Sequence, residues 1–275
     1  MKVLFEQVQV QSPLVHNITN YVTVNDCANV ILAAGGSPLM ADDQEEVADI
    51  VSISKALYIN VGTLNRRTIE SMKIAGKRAN EMGIPVILDP VGMGASRLRN
   101  ESVNALLETI QFSVIKGNMT EIRAIDQNCR TSNGVDVEAK DQITIDTLKD
   151  AIALARNVAK RFSTIVVITG ATDIVTDGER VRTISNGDAM MSRITGTGCM
   201  TGSLIGTFAA VDANRVYDAA TIAVSMMGLA GEKAAAMVTE RQEGTASMKR
   251  YLIDQIMRID EQVWKEGAKI ENQAE

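Results

Sequence analysis

The sequence holds a single His, at position 16, and three Cys, at 27, 129 and 199. None of them stands at metal-ligand spacing from another, which excludes a structural zinc site, and such scattered thiols form no disulfide framework. Free thiols point to a reducing compartment. Aromatic residues are equally scarce. Four Phe, one Trp and four Tyr are too few for the stacking platforms that bind single-stranded nucleic acid, so aliphatic side chains and 14 Met must fill the core. Positive charge is not in excess either: 28 Lys and Arg against 34 Asp and Glu leave a net −6, which excludes a nucleic-acid surface or a polybasic membrane contact. Nowhere do 18 apolar residues run together, and residues 1–12, with Glu6 and three Gln, lack the apolar stretch of an export signal. A cytoplasmic protein with no nucleic-acid or membrane partner is therefore expected.

What remains is ordinary globular material, 45% hydrophobic and 23% charged. At about 150 residues per domain, 275 residues make one large unit or two small ones. No repeat, low-complexity tract or Pro-rich linker divides them, so one domain over 1–275 is expected. Short aliphatic runs at 56–61 (ALYINV), 85–89 (PVILD), 112–116 (FSVIK) and 164–169 (TIVVIT) read as strands covered on both faces. Between and around them, 65–82, 96–110 and 145–159 carry apolar residues three or four apart and read as covering helices. This alternation predicts an α/β fold with a mostly parallel sheet. Residues 173–185 differ, with two β-like stretches flanking Asp177-Gly178, a hairpin turn at one antiparallel edge. After Cys199 the strand signal stops, and 213–237 and 242–265 read as two long helices. The first has no polar face over 219–230, which fits deep burial or a subunit contact.

The stretch ITGTGCM (194–200) sets two glycines between threonines just before a helical pattern that runs to about position 211. Such a turn presents unpaired N–H groups at a helix amino terminus, where the dipole attracts an anion, phosphate above all. Without a ligand, Gly196 and Gly198 would only shape a turn and Thr197 a cap. Thr201 stands where the dinucleotide fingerprint requires Gly, and the P-loop pattern is absent. Cys199 falls in the first helical turn, where it is placed to act as base or nucleophile; Cys27 and Cys129 read as inert buried thiols.

Asp89-Pro90-Val91-Gly92-Met93-Gly94 puts a carboxylate at the carboxyl end of a strand, the ligand-binding edge of parallel α/β sheets. It either serves a ligand or caps the loop after it. Asn118-Met119-Thr120-Glu121 has capping-box spacing that needs no ligand. Yet Asp89, Glu121 and the anion-binding turn converge on one sheet edge, and two carboxylates beside a phosphate site suggest Mg²⁺. Lys116, near Asn118, and Thr169-Gly170, at the end of the next strand, would reach the same nucleotide, or be a solvated charge and a plain turn. His16 has no partnered nucleophile and reads as structural. The polar stretch 127–142 reads as a long loop.

Taken in order, HNITN, SPLMA, DPVGMG, KGNMTE, ITG and TGTGC follow the order and spacing of the hydroxyethylthiazole kinase family, a branch of the ribokinase-like superfamily, which the chain resembles over about 14–230. HNITN together with Cys at the end of the glycine turn is the specific part, since most of the superfamily places Asp there. The resemblance implies a three-layer ribokinase-like fold and transfer of phosphate from ATP, with Mg²⁺, to the hydroxyl of 4-methyl-5-(2-hydroxyethyl)thiazole, a thiamine precursor. It implies a homotrimer with the thiazole pocket at the subunit interface. Residue by residue, Gly196, Thr197, Gly198 and Cys199 would form the catalytic anion hole and base, and Asp89 and Glu121 would hold Mg²⁺ through water. Lys116, Asn118, Thr169 and Gly170 would meet ATP, with Lys116 as a point charge where many relatives carry Arg. Asn20, Met40, Gly62 and Gly196 would line the thiazole pocket. Competing readings are a kinase for another small alcohol such as hydroxymethylpyrimidine or a sugar, a hydro-lyase of the nicotinamide-hydrate repair type, and a thiazole- or nucleotide-binding trimer without turnover.

Overall fold

The computed structural model describes residues 1–128 and 147–273. Aliphatic runs too short and too β-branched for helices pair, together with more polar segments at the two ends, into one nine-stranded sheet. In chain order the strands are β1 (Leu14–Ile18), β2 (Ser37–Met40), β3 (Ala56–Asn60), β4 (Val86–Asp89), β5 (Val114–Asn118), β6 (Ile165–Thr169), β7 (Asp173–Thr176), β8 (Val181–Ile184) and β9 (Ile270–Gln273). Across the sheet they stand as β2-β1-β3-β4-β5-β6-β7-β8-β9. The six strands from β2 to β6 are parallel, and β7, β8 and β9 continue antiparallel.

Alternate side chains feed two apolar layers. On one face Tyr58, Ile87 and Val167 pack with α1 (Lys2–Gln11), α2 (Val24–Ala34), α8 (Thr197–Ala209), α9 (Val216–Glu240) and α10 (Thr245–Arg258). On the other, Leu57, Ile59, Leu88 and Ile168 pack with α3 (Val47–Ile53), α4 (Arg66–Glu81), α5 (Arg97–Thr109), α6 (Met119–Asn128) and α7 (Leu148–Phe162). Full burial of each such side chain is worth about 1.5–3 kcal/mol. The expected helices at 65–82 and 96–110 are α4, started by an Asn65–Thr68 capping box, and α5, started by Ser96. The helix expected at 145–159 is α7; the stretch expected as a loop at 127–142 lies, from 129 on, outside the described residues.

Four expectations need correction. The strand placed at 112–116 is shifted to Val114–Asn118, because Gly117 and Asn118 continue the ladder opposite Ile168 and Thr169, so Lys116 lies inside the strand. The antiparallel edge is wider than a hairpin. The turn at Asp177-Gly178 is present, with Gly178 at φ +95°, but β8 also pairs with β9, whose sequence IENQ has one apolar residue and no strand signal. Strand structure therefore does not stop at Cys199. The helix expected over 242–265 breaks into α10 and α11 (Glu261–Gly267), since Asp260 accepts the Val263 N–H at 2.9 Å and starts a new helix. The polar-faceless stretch of α9 is explained by burial. Ala213–Glu240 is long and apolar enough to cross a membrane, but 78% of its most apolar window is buried in the fold.

Candidate active site

The carboxyl ends of the parallel strands deliver Asn60 (β3), Asp89 (β4), Asn118 (β5) and Thr169 (β6) to one edge, where α8 begins. Gly196 precedes α8 with φ +98°, a conformation that favours glycine; a Cβ there would also lie 2.9 Å from Thr23 Cγ2. No side chain among the described residues caps α8, so its first N–H groups face the cavity that Thr197 and Gly198 line without such a partner. Under Gly198 lies the Lys116 ammonium, Nζ 3.0 Å from where a Cβ would stand.

Lys116 is buried, and its Nζ bonds Asp89 Oδ2 at 3.2 Å. The same oxygen accepts the Tyr58 hydroxyl at 2.8 Å. Asp89 Oδ1 is buried and has no partner among the described residues. Burial works against the Lys116 charge, but Asp89, Glu121 and Cys199 outweigh it and hold the ammonium above its ordinary pKa. Burial, reinforced by Asp89, pushes the Tyr58 phenol well above its ordinary value, so it stays protonated. Glu121 fulfils the capping-box expectation: its Oε2 accepts the Asn118 N–H at 2.8 Å while Asn118 Oδ1 accepts the Glu121 N–H at 2.9 Å. Its Oε1 accepts the Gly92 N–H at 2.8 Å. Burial first, then the nearby Asp89 charge, raises the Glu121 carboxyl.

A second cluster, around Cys199 in the first turn of α8, holds the thiol. Asn20 Nδ2 and Asn60 Nδ2 each donate to Cys199 Sγ at 3.3 Å. Asn20 also donates to Asn60 Oδ1 at 2.9 Å, and the Gly62 N–H donates to that oxygen at 2.9 Å. Asn20 Oδ1 accepts both the N–H and the hydroxyl of Thr23 at 3.1 Å. Since backbone N–H groups only donate, they fix which amide atom is oxygen in each Asn.

Two cavities open on these clusters. One of about 590 Å³ is walled by Thr169, Gly170, Asp173, Thr197, Gly198 and Val224. The Asp173 carboxyl, bonded by the Gly170 N–H at 2.9 Å, is pushed up to about 7 by burial, against the pull of that N–H and of Lys116. The other, about 240 Å³, is lined by Asn17, Tyr21, Met40, Asn60, Thr63 and Asn65. The structure thus gathers Asn20, Gly62 and Cys199 in one cluster and Lys116, Asp89 and Gly198 in another. Met40 faces the smaller cavity, and Thr169 and Gly170 the larger. Lys116 is more enclosed than its sequence position suggested.

Sequence reasoning missed Tyr58 and Asn60, whose signal was two polar groups, two residues apart, in an otherwise aliphatic strand. His16 fits its structural reading: it is buried, its pKa is lowered by burial, and its Nε2–H donates to Ala41 O at 2.8 Å. Cys27 is buried, and burial pushes its thiol up to about 11; Cys129 lies outside the described residues. Among the described residues no three His, Cys, Asp or Glu side chains converge as a metal cluster.

Known proteins resemble this chain in sequence and fold. Residues 5–262 match the model of the hydroxyethylthiazole kinase family. A hydroxyethylthiazole kinase from Ruminiclostridium cellulolyticum is 49% identical, over 97% of this chain and 95% of its own length. The solved hydroxyethylthiazole kinase of Pyrococcus horikoshii is 36% identical, with TM-score 0.88 over 99% of this chain and 98% of that one. A ribokinase-like superfamily protein from Enterococcus faecalis, at 11% identity and TM-score 0.59 over 94% of each chain, shares the fold.

Proposed function

Because the chain belongs to the hydroxyethylthiazole kinase family, we propose that the edge where Cys199 and Asp89 flank the start of α8 is where it transfers phosphate from ATP to hydroxyethylthiazole. The activity itself, a kinase step in thiamine biosynthesis, follows from full-length similarity to named relatives. The observation that carries the site is the uncapped amino terminus of α8 directly above a buried Lys116–Asp89 pair.

In the reaction the thiazole's hydroxyl oxygen bonds to the γ-phosphorus as the bond to the β-phosphate oxygen breaks, and ADP leaves with the electron pair. Such transfer is mostly positioning and charge neutralisation. The N–H groups of Thr197, Gly198 and Cys199 receive the negative oxygens of the moving phosphoryl group, and Lys116 adds fixed positive charge beneath Gly198. Thr169 and Gly170, with Asn118 nearby, border the larger cavity as the ATP side; Met40, Asn20, Gly62 and Gly196 border the thiazole side. Cys199, its sulfur held by two amide donors, orients the attacking hydroxyl and, in its thiolate form, takes the proton late to become the thiol. A buried carboxylate oxygen without a partner, Asp89 Oδ1, beside a second carboxylate, Glu121, is a hard-oxygen donor set that fits Mg²⁺ held largely through water. When bound, Mg²⁺ would neutralise the charge on the phosphate oxygens.

A homotrimer agrees with the surface next to the thiazole side: Tyr21 and Val22, adjacent to Asn20, are 79% and 56% exposed. Its mass in solution tests this. The reaction is tested by ADP release with ATP and Mg²⁺, with and without hydroxyethylthiazole, beside a hydroxymethylpyrimidine and a pentose. The expected result is release with the thiazole alone. Thermal stabilisation by the thiazole without ADP release would overturn turnover while leaving binding.

A further inference from the structure

The two clusters are one network. Tyr58 and Asn60 stand two apart on β3 and so point to the same face, toward α8. The Tyr58 ring is fully buried against Gly202 of α8, where a Cβ would come within 2.4 Å of Cε2. Only glycine lets the helix that carries Cys199 settle on that ring. The Tyr58 hydroxyl donates to Asp89 Oδ2 at 2.8 Å and accepts from Asn60 Nδ2 at 2.8 Å. The other proton on that nitrogen goes to Cys199 Sγ, and the Asn60 oxygen takes protons from Asn20 and Gly62. Every amide proton of Asn20 and Asn60 therefore has an acceptor, and each donor direction is fixed. An unbroken chain runs from the Lys116 ammonium through Asp89, Tyr58 and Asn60 to the thiol.

We propose that Tyr58 and Asn60 are positioning residues that hold the carboxylate on the phosphoryl side and the thiol on the alcohol side in register before either substrate arrives. The proposal rests on the roles of Asp89 and Cys199 given above. Tyr58 touches no reacting atom, and Asn60 meets the thiol through its amide N–H alone. Their effect is geometric: removing the phenolic oxygen leaves Asp89 with one partner on Oδ2 and Asn60 Nδ2 without one of its two acceptors, so the amide is held from its oxygen end alone and its contact with Cys199 loosens. A closed network of this kind has a single arrangement, whereas a broken one has several.

Tyr58→Phe is the decisive variant, because it keeps the ring under Gly202 and removes only the hydroxyl. The expected result is a fall in kcat of roughly tenfold to a hundredfold, as for a reacting group displaced by about 1 Å, with KM for ATP and hydroxyethylthiazole within about twofold. A second readout does not need turnover. Alkylation of Cys199 by iodoacetamide, with Cys199→Ser supplying the background from the other thiols, is expected to change by at least about threefold in Tyr58→Phe and in Asn60→Ala. Should Asn60→Ala not fold, Tyr58→Phe alone carries the test. A kcat within about twofold of the parent with an unchanged alkylation rate, or a lowered melting temperature with full kcat per folded molecule, would make Tyr58 a core filler and overturn the proposal. Asp89→Asn and Cys199→Ser separate the two levels. If both keep full kcat, the roles given to those residues fail and the register argument with them; if both lose it while Tyr58→Phe does not, the positioning role alone is wrong.

Discussion

Two glycine-rich turns meet at the site edge, and they treat their backbone donors in opposite ways. In the turn after β4, every N–H from 92 to 95 is occupied: Gly92 donates to Glu121, Met93 to Pro90 O, Gly94 to Asn100 and Ala95 to Gly92 O. Arg99 clamps it from behind, bonding the carbonyls of Val61, Val91 and Gly62 at 2.6 Å each. The turn before α8 has, among the described residues, no side-chain cap and no such clamp over its N–H groups. Two sequences that look alike on paper, GMG and GTG, therefore differ in what they have left to offer. The first is a bracket whose donors are used up in holding its own shape, and the second keeps its donors for a guest.

The largest effect is expected from filling the second turn with charge. Gly198→Asp sets a carboxylate among the free donors and against Lys116, and kcat/KM should fall by about a thousandfold or more in the ADP-release assay. Next comes Asp89→Asn, which leaves the buried Lys116 without its full counter-charge. A loss of about 3 kcal/mol in urea unfolding is expected, with kcat down by about a hundredfold at saturating Mg²⁺. The bracket should respond differently. Asn100→Ala strips only the Gly94 N–H of its partner, so about 1 kcal/mol of stability should be lost with kcat unchanged. If kcat fell instead, the first turn would be more than a support.

The smallest effect concerns Asp173, at the wall of the larger cavity. Its folded carboxyl gives up its proton near 7, while an unfolded Asp does so near about 4, so the folded state holds the extra proton between those values. Stability contributed by this group is present at low pH and lost as pH rises from about 4 to about 7. Asp173→Asn should flatten that slope, raising the melting temperature at pH 8 while leaving it nearly unchanged at pH 4.

How much of this was legible depends on where each signal lies. The strands β3 to β6 announced themselves because both faces are buried, which leaves nearly continuous aliphatic runs. The first two strands did not, since β1 carries His16 and Asn17 and β2 carries Ser37 and Pro38; these are polar or ladder-breaking residues that tertiary partners satisfy, as Ser203 does for Asn17. Strand β9 is specified by its partner β8 and hardly by its own sequence. At the site, the glycine turn and the carboxylates could be read from local spacing. The link between them could not, because Tyr58 and Asn60 gain meaning only when β3 and α8 pack, 139 residues apart at the Asn60–Cys199 contact.

One consequence follows from the way the larger cavity is walled. Its outer rim at Asn186 is fastened by Gly267 O and by the Lys269 N–H, 81 and 83 residues further along, while Gly187 is held by Glu232. During synthesis the thiol cluster has all its members once Cys199 has emerged, whereas the rim at Asn186 stays unfastened until Gly267 and Lys269 arrive. The rim of the larger cavity is thus tied to the end of the chain, whereas the thiol cluster itself draws on no residue beyond Cys199.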